Sequence, residues 1–330
     1  MLHRLSSTVP LPDLTALVRP ELERLNRELP VDLTPGSPDL VPLLEHVGRF
    51  RGKQLRPALV YLAAKATGNV KEEHHVVAKV VELIHTATLV HDDILDGATL
   101  RRRLPTLNAL HGPEAPVLVG DYVYARAFHL SVGLQDQTCS RLLSEITRTI
   151  CQGEIVQILH RYDYGWNEAR YFEVIRDKTA SLYAAAAKLG GHYAGASPAV
   201  CDALYRFGED VGVAFQIVDD CLDLDGDERV VGKSLGTDAA KGKLTLPLIW
   251  LMQKVPGAQQ TLRMILEEHD PVRCLVRLRA ELPLADGIAY AMRSAETRVE
   301  RARTALEALP ESPARETLST LAEYVLRRDL

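Results

Sequence analysis

Several large protein classes are excluded by what this sequence lacks. No stretch approaches the roughly 18 uninterrupted apolar residues of a membrane-spanning helix, and the opening MLHRLSSTVPLPDL carries no apolar core of a secretory signal. A cytoplasmic chain with no stable membrane insertion is the expectation. A formal charge of -5 and a pI near 6.1 leave no basic stripe for nucleic acid. The five cysteines, Cys139, Cys151, Cys201, Cys221 and Cys274, are odd in number and form no CxxC pair. That pattern argues against disulfides and zinc and for buried free thiols in a reducing compartment. Aromatic residues make up only 5% of the chain against 46% hydrophobic, an Ala/Leu/Val-rich mixture suited to helices. No Pro/Ser-rich linker, low-complexity segment or shift in composition divides the 330 residues, so one domain spanning 1–330 is expected. Period-two alternation is scarce, and an all-α single large bundle is the fold class.

What is present is concentrated in Glu82 to Thr106, ELIHTATLVHDDILDGATLRRRLPT. Val77, Val80, Val81, Ile84, Ala87, Val90 and Ile94 recur at steps of three and four, the period of a buried helix. Asp92, Asp93 and Asp96 then occupy i, i+1 and i+4, so Asp92 and Asp96 project from one face a turn apart. Like charges at that spacing repel and call for a counter-charge; hard oxygen ligands with room for water suit magnesium shared with a phosphate. Arg101, Arg102 and Arg103 follow, with planar forks that bind phosphate or carboxylate. Alone, this DDxxD reads equally well as a solvated acidic helix end. It has a second copy in FQIVDDCLDLDGD, where Asp219, Asp220 and Asp223 repeat the spacing after another apolar helical run. Two such faces can hold divalent ions between them. Asp225 and Asp227 read as solvated loop residues, and Lys233 and Lys243 follow at a reach suited to the far side of a phosphate.

With these residues in view, the chain resembles the trans-isoprenyl diphosphate synthases. The resemblance runs through RGKQLRPAL, IHTATLVHDDILD, RRRLPT, VLVGDYVYARAF, GEIVQ, DKTASLY, FQIVDDCLD and GKSLGTDAAKGKLTLP, in that order. It implies a helical bundle of the isoprenoid synthase type with a central cavity, usually a homodimer. The implied reaction is head-to-tail condensation of isopentenyl diphosphate with an allylic diphosphate. Asp92, Asp93, Asp96, Asp219 and Asp223 match the family's magnesium ligands, and Asp220 is a motif member with a supporting role. The implied cofactor is Mg2+, three ions with substrate bound. Arg101, Lys178, Lys233 and Lys243 match the residues that grip the allylic diphosphate; Lys53, Arg56, His85 and Arg102 match the isopentenyl diphosphate site. Thr179 and Gln216 match positions whose oxygen dipoles face the allylic cation, and with Lys178 they form the catalytic set. Arg51 and Gln54 replace the family's usual Gly and Arg, and Arg103 its usual Gly. Which of the three arginines serves which diphosphate stays open.

Product length should follow from residue size. Side chains one turn and more before Asp92 face the growing tail, and these are the small Ala87 and Thr88. Short-chain members tend to place an aromatic floor there. The next stops are Tyr124 and Phe128, so a long product is expected, octaprenyl-like and within the hexaprenyl to decaprenyl range. The alternatives are a geranylgeranyl or farnesyl diphosphate synthase, a class I terpene synthase, and a noncatalytic partner subunit. His91 is expected to pack against or support the aspartates, and Asp121 to be a core polar group or a support for the metal site. Along the chain, helices are expected from Leu14 to Leu29 with Asp13 as its cap, Asp39 to Val47, Leu55 to Gly68, Ala115 to Leu134, Ser140 to Leu159 and Glu168 to Leu189. Another should start at Ser197 and Pro198. Pro30 to Pro38 reads as a loop, and the C-terminal third carries no strong chemical constellation.

Overall fold

The computed structural model describes residues 14–34, 36–50, 52–226 and 235–327. Asp13, Arg51, Asp227 and Lys233 lie outside the described residues. A first group of helices, α1 (Arg19–Asp32), α2 (Val41–Gly48), α3 (Leu55–Thr67) and α4 (Glu72–Leu95), leads into a hairpin of β1 (Leu100–Arg101) paired antiparallel with β2 (Leu104–Pro105). Next come α5 (Leu107–His111), α6 (Glu114–Val132), α7 (Thr138–Leu159) and α8 (Glu168–Ile175); a π turn at Arg176–Ala180 joins α8 to α9 (Ser181–Ala194). The rest comprises α10 (Pro198–Asp225), α11 (Thr237–Ala240), α12 (Leu246–Lys254), α13 (Ala258–Leu266), α14 (Pro271–Glu281), α15 (Leu284–Ala305) and α16 (Pro313–Leu326). The all-α bundle expected from composition and periodicity is what forms.

Two helices set the frame. α10 carries exposed Asp202 and Arg206 in its first half, but Leu204, Phe207, Val211, Ala214, Ile217 and Val218 are fully buried and 211–214 are buried without a break, the pattern of a helix surrounded by others over its middle. It packs mainly against α9 and α15. Its start follows the expected chemistry: Ser197 Oγ accepts from Val200 N, and Pro198 fills the first turn. α4 packs against α3 and α6. At its start Lys71 N donates to His74 Nδ1 at 2.8 Å, which leaves the His74 Nε2 proton for Gly190 O at 3.0 Å. His74 thus ties α4 to α9, and burial lowers its pKa so that it stays neutral.

Three local expectations need correction. The first helix begins later, after a 3₁₀ turn at Ala16–Val18, and runs through Pro30 to Asp32. Pro30 is tolerated because it sits in the last turn, where Leu33 N still reaches Leu29 O at 3.2 Å. The segment from Glu168 is broken by the π turn instead of running unbroken to Leu189. Among the thiols, Cys139, Cys201, Cys221 and Cys274 are buried, whereas Cys151 is exposed on α7.

Candidate active site

The two aspartate motifs end α4 and α10, and a basic residue between them joins the two ends. Lys243 Nζ donates to Asp96 Oδ1 at 3.1 Å and lies 3.3 Å from Asp238 Oδ1. Asp238 N in turn donates to Asp223 Oδ2 at 3.1 Å. Lys241 Nζ is a further 3.3 Å neighbour of Asp96 Oδ1, and Arg161 approaches the same oxygen at 3.6 Å. Burial alone would raise the Asp96 pKa; Lys243 and Lys241 outweigh it and hold the carboxyl at about 2. For Lys243, burial is likewise outweighed, by Asp238 and Asp96, so its ammonium is held above its usual range.

Each carboxylate of the first motif has a different environment. Asp93 is buried, and its Oδ1 accepts from Arg101 Nε at 2.8 Å with Nη2 also at 2.8 Å. Arg101 comes from β1, whose two-residue turn to β2 is Arg102 and Arg103 at φ +51° and +66°. A hairpin turn of this kind favours Asn-Gly, so two arginines here hold backbone strain at the site. Asp92 is half-buried, and its carboxylate makes no hydrogen bond or ion pair with any described residue. Burial raises its pKa, Lys178 opposes this, and Glu154 and Asp96 add to the rise.

In the second motif Asp219 is half-buried, whereas Asp220 and Asp223 are turned into the protein. Asp223 accepts from Thr237 Oγ1 at 3.1 Å as well as from Asp238 N, and so caps the first turn of α11. Asp220 accepts from Tyr171 Oη at 2.7 Å and from Gln216 Nε2 at 2.8 Å.

Lys178 and Thr179 stand on the π turn, a backbone irregularity that often marks functional sites. Two glycines hold it. A Cβ at Gly153 of α7 would meet Lys178 N at 2.9 Å, and one at Gly212 of α10 would meet the Ala180 Cα at 2.5 Å. The close approach at Gly212 brings Thr179 Oγ1 within 2.7 Å of Gln216 Oε1. Lys178 Nζ donates to Gln157 Oε1 at 3.1 Å and pairs with Glu154. We expect Gly212→Ala to displace the turn and lower turnover by about 100-fold, the usual cost of misplacing reacting groups by an ångström. Steady-state rates measured beside the melting temperature would separate this from unfolding.

A second basic cluster lies further back along α4. The Arg56 guanidinium sits 4.2 Å from the Tyr183 ring centroid, and its buried Nε has no hydrogen-bond partner among the described residues. His85 has its pKa held well below the usual range, first by burial and then by Arg56, Arg102 and Arg101, so the imidazole is neutral and can donate one proton. Arg102 Nη1 donates to the Phe50 carbonyl. Lys53 is exposed; its Nζ bonds Tyr324 Oη at 3.0 Å and lies over that ring. Lys53 thus meets the C-terminal third of the chain, through α16.

Other expectations shift. Asp121 is an exposed residue of α6, 3.6 Å from Nε2 of His91, the neighbour of Asp92, and is not a core polar group. His91 bonds the Val117 carbonyl at 3.1 Å and packs against Gly120. Sequence reasoning gave no role to Glu154, Gln157, Arg161, Tyr171, Asp238, Lys241 or Tyr324. Glu154 and Gln157 were within reach, since GEIVQ places them at i and i+3 on one helical face.

Among the described residues no three carboxylate, histidine or cysteine groups gather closely enough to cage an ion. The donors nevertheless fit a hard divalent cation of the kind held by one or two carboxylates plus water and phosphate oxygens. Asp92, a half-buried carboxylate short of counter-charge, fits that demand best.

The chain belongs to the Polyprenyl synthetase family, which matches residues 38–277. It is 37% identical to the octaprenyl diphosphate synthase of Escherichia coli (strain K12), over 88% of this chain and 91% of that one. It is 38% identical to the all-trans-nonaprenyl-diphosphate synthase (geranyl-diphosphate specific) of Rhodobacter capsulatus, over 86% and 87%. The crystal structure of a polyprenyl synthase from Caulobacter crescentus CB15, complexed with calcium and isoprenyl diphosphate, superposes with a TM-score of 0.91. It is 30% identical and covers 99% of this chain and 100% of its own.

Proposed function

We propose that this protein condenses isopentenyl diphosphate head-to-tail onto an allylic diphosphate and repeats the step to give a long trans-polyprenyl diphosphate, octaprenyl-like in length, for a quinone side chain. One observation carries the reading: two aspartate-bearing helix ends joined through Lys243 and Asp238, with a separate basic cluster at Arg56, His85 and Arg102. One diphosphate needs the first site, a second diphosphate the other. A class I terpene synthase has no use for the latter. The octaprenyl and nonaprenyl names of the two relatives support a long product.

Magnesium held by Asp92, Asp93, Asp96, Asp219 and Asp223 supplies the positive charge that the departing diphosphate needs. Arg101, Lys178 and Lys243 grip that diphosphate. Lys178 is engaged by Glu154 and Gln157 in this state, so gripping it means exchanging those partners. Thr179 and Gln216 present oxygen lone pairs to the allylic cation. His85, neutral, donates to the isopentenyl diphosphate beside Lys53, Arg56 and Arg102. The proton released as the new double bond forms passes to the departing diphosphate, and no side-chain base is required.

A homodimer is supported by α6 and α7, which pack together and leave Leu118, Ile155 and Leu159 exposed at 68%, 56% and 74%, an apolar face suited to a second copy. We place the chain in the cytoplasm; no helix among the described residues is long and apolar enough to cross a membrane.

The test is to incubate the purified protein with magnesium, farnesyl diphosphate and labelled isopentenyl diphosphate and to size the dephosphorylated products. A ladder ending near forty carbons is the expected result. Products that stop at fifteen or twenty carbons would overturn the long-chain reading and leave the reaction standing; no incorporation would overturn both.

A further inference from the structure

We propose that Tyr171 and Asp220 are positioning residues that fix the direction of the Thr179 and Gln216 dipoles, through a buried chain of hydrogen bonds with one polarity from end to end. The inference rests on the reaction proposed above.

The chain begins at Tyr171 on α8, a ring only 4% exposed, whose hydroxyl donates to Asp220 Oδ2 at 2.7 Å. Asp220, 5% exposed, has its other oxygen 2.8 Å from Gln216 Nε2, one helical turn back on α10. Gln216 Oε1 is then 2.7 Å from Thr179 Oγ1 on the π turn. Burial raises the Asp220 pKa to about 7, and in its ionised form, the one the relay uses, the carboxylate can only accept. The Gln216 amide must therefore turn its NH2 to Asp220 and its oxygen to Thr179. Thr179 has one proton, and that oxygen takes it. What the Thr179 oxygen has left for the cavity is lone pairs, the negative end of its dipole.

The direction of every bond thus traces back to Asp220, and Tyr171 holds that carboxylate by its second oxygen. With its two oxygens bonded to Tyr171 and Gln216, Asp220 is fitted to orient Gln216. If the amide were reversed, its NH2 would face Thr179, the threonine proton would turn to the cavity, and a developing cation would meet the positive end of the dipole. Preorganised dipoles aimed at developing charge act on the transition state far more than on the bound substrate.

Tyr171→Phe keeps the ring and removes the one hydroxyl. Turnover should fall by roughly 10- to 100-fold, with KM for both diphosphates and the magnesium concentration for half-maximal rate each within about two-fold of wild type, as for an interaction felt in the transition state. A second readout separates polarity from loosened packing. 2-Fluorofarnesyl diphosphate forms a poorer allylic cation than farnesyl diphosphate, and the ratio of their rates should widen in Tyr171→Phe. A merely structural role would slow both substrates alike. Asp220→Asn, whose amide can present either a donor or an acceptor to Gln216, should widen the ratio as well. An unchanged ratio in both variants, or a loss confined to KM, overturns the relay. If wild-type protein makes polyprenyl products and the variants match it, the relay alone fails; if wild type makes none, the proposed reaction fails first.

Discussion

Asp92→Asn will move activity and stability in opposite directions. Asp92 is half-buried, its carboxylate makes no hydrogen bond or ion pair with any described residue, and its pKa is raised by burial and by Glu154 and Asp96. In metal-free protein its charge is a cost, and a neutral amide of the same shape removes it. The metal-free melting temperature should rise by a few degrees, about 2–4 °C for each kcal/mol relieved. The same substitution removes an oxygen donor from the site that neutralises the departing diphosphate. Turnover should then fall by about 100- to 1,000-fold, the scale found for a lost electrostatic contact to a transition state. Thermal unfolding with and without magnesium, beside incorporation of labelled isopentenyl diphosphate, checks both signs. A variant less stable than wild type without metal would show that Asp92 is compensated after all.

Thr88→Phe should shorten the product while the fold survives. Thr88 is four residues before Asp92, directly below it on the same face of α4, and is half-buried, so it is less tightly enclosed than its neighbour Ala87. Ala87 is 1% exposed. A ring there must displace packed neighbours at a cost of about 1–3 kcal/mol, so Ala87→Phe should shorten the product and also lower the melting temperature. Chromatography of the dephosphorylated products is the measurement. In wild type the tail would run on toward α6, which packs against α4 and carries Tyr124 and Phe128 with ring centroids 5.0 Å apart. Unchanged product length in Thr88→Phe would place the tunnel on another face of α4.

The long apolar helices, the two aspartate triplets and the basic residues beside them could be read from periodicity and spacing, because these are local properties of the chain. The environments that distinguish the six aspartates could not. Asp92 and Asp93 are adjacent in sequence, yet the carboxylate of one has no partner among the described residues and the other is clasped by Arg101 from a hairpin whose turn contains no glycine to announce it. Tyr171 and Tyr324 were invisible for the same reason: each meets its partner from an element remote in sequence, 49 residues from Asp220 and 271 from Lys53. Asp121 misled in the opposite way, since an aspartate in an apolar stretch looks buried until the helix is placed and its face turns to solvent. The π turn left no mark either, because DKTASLY is compatible with an unbroken helix.

That turn sets a phase. An extra residue looped into a helix rotates everything after it by about 100° relative to an uninterrupted one. The face of α8 that offers Tyr171 to Asp220 and the face of α9 that offers Tyr183 to Arg56 are aligned only because the slip lies between them. Deleting one residue from Arg176–Ala180 would restore a regular helix with its backbone bonds intact, yet turn one of these faces a quarter of the way out of register. Length in this short stretch is therefore under tighter constraint than composition.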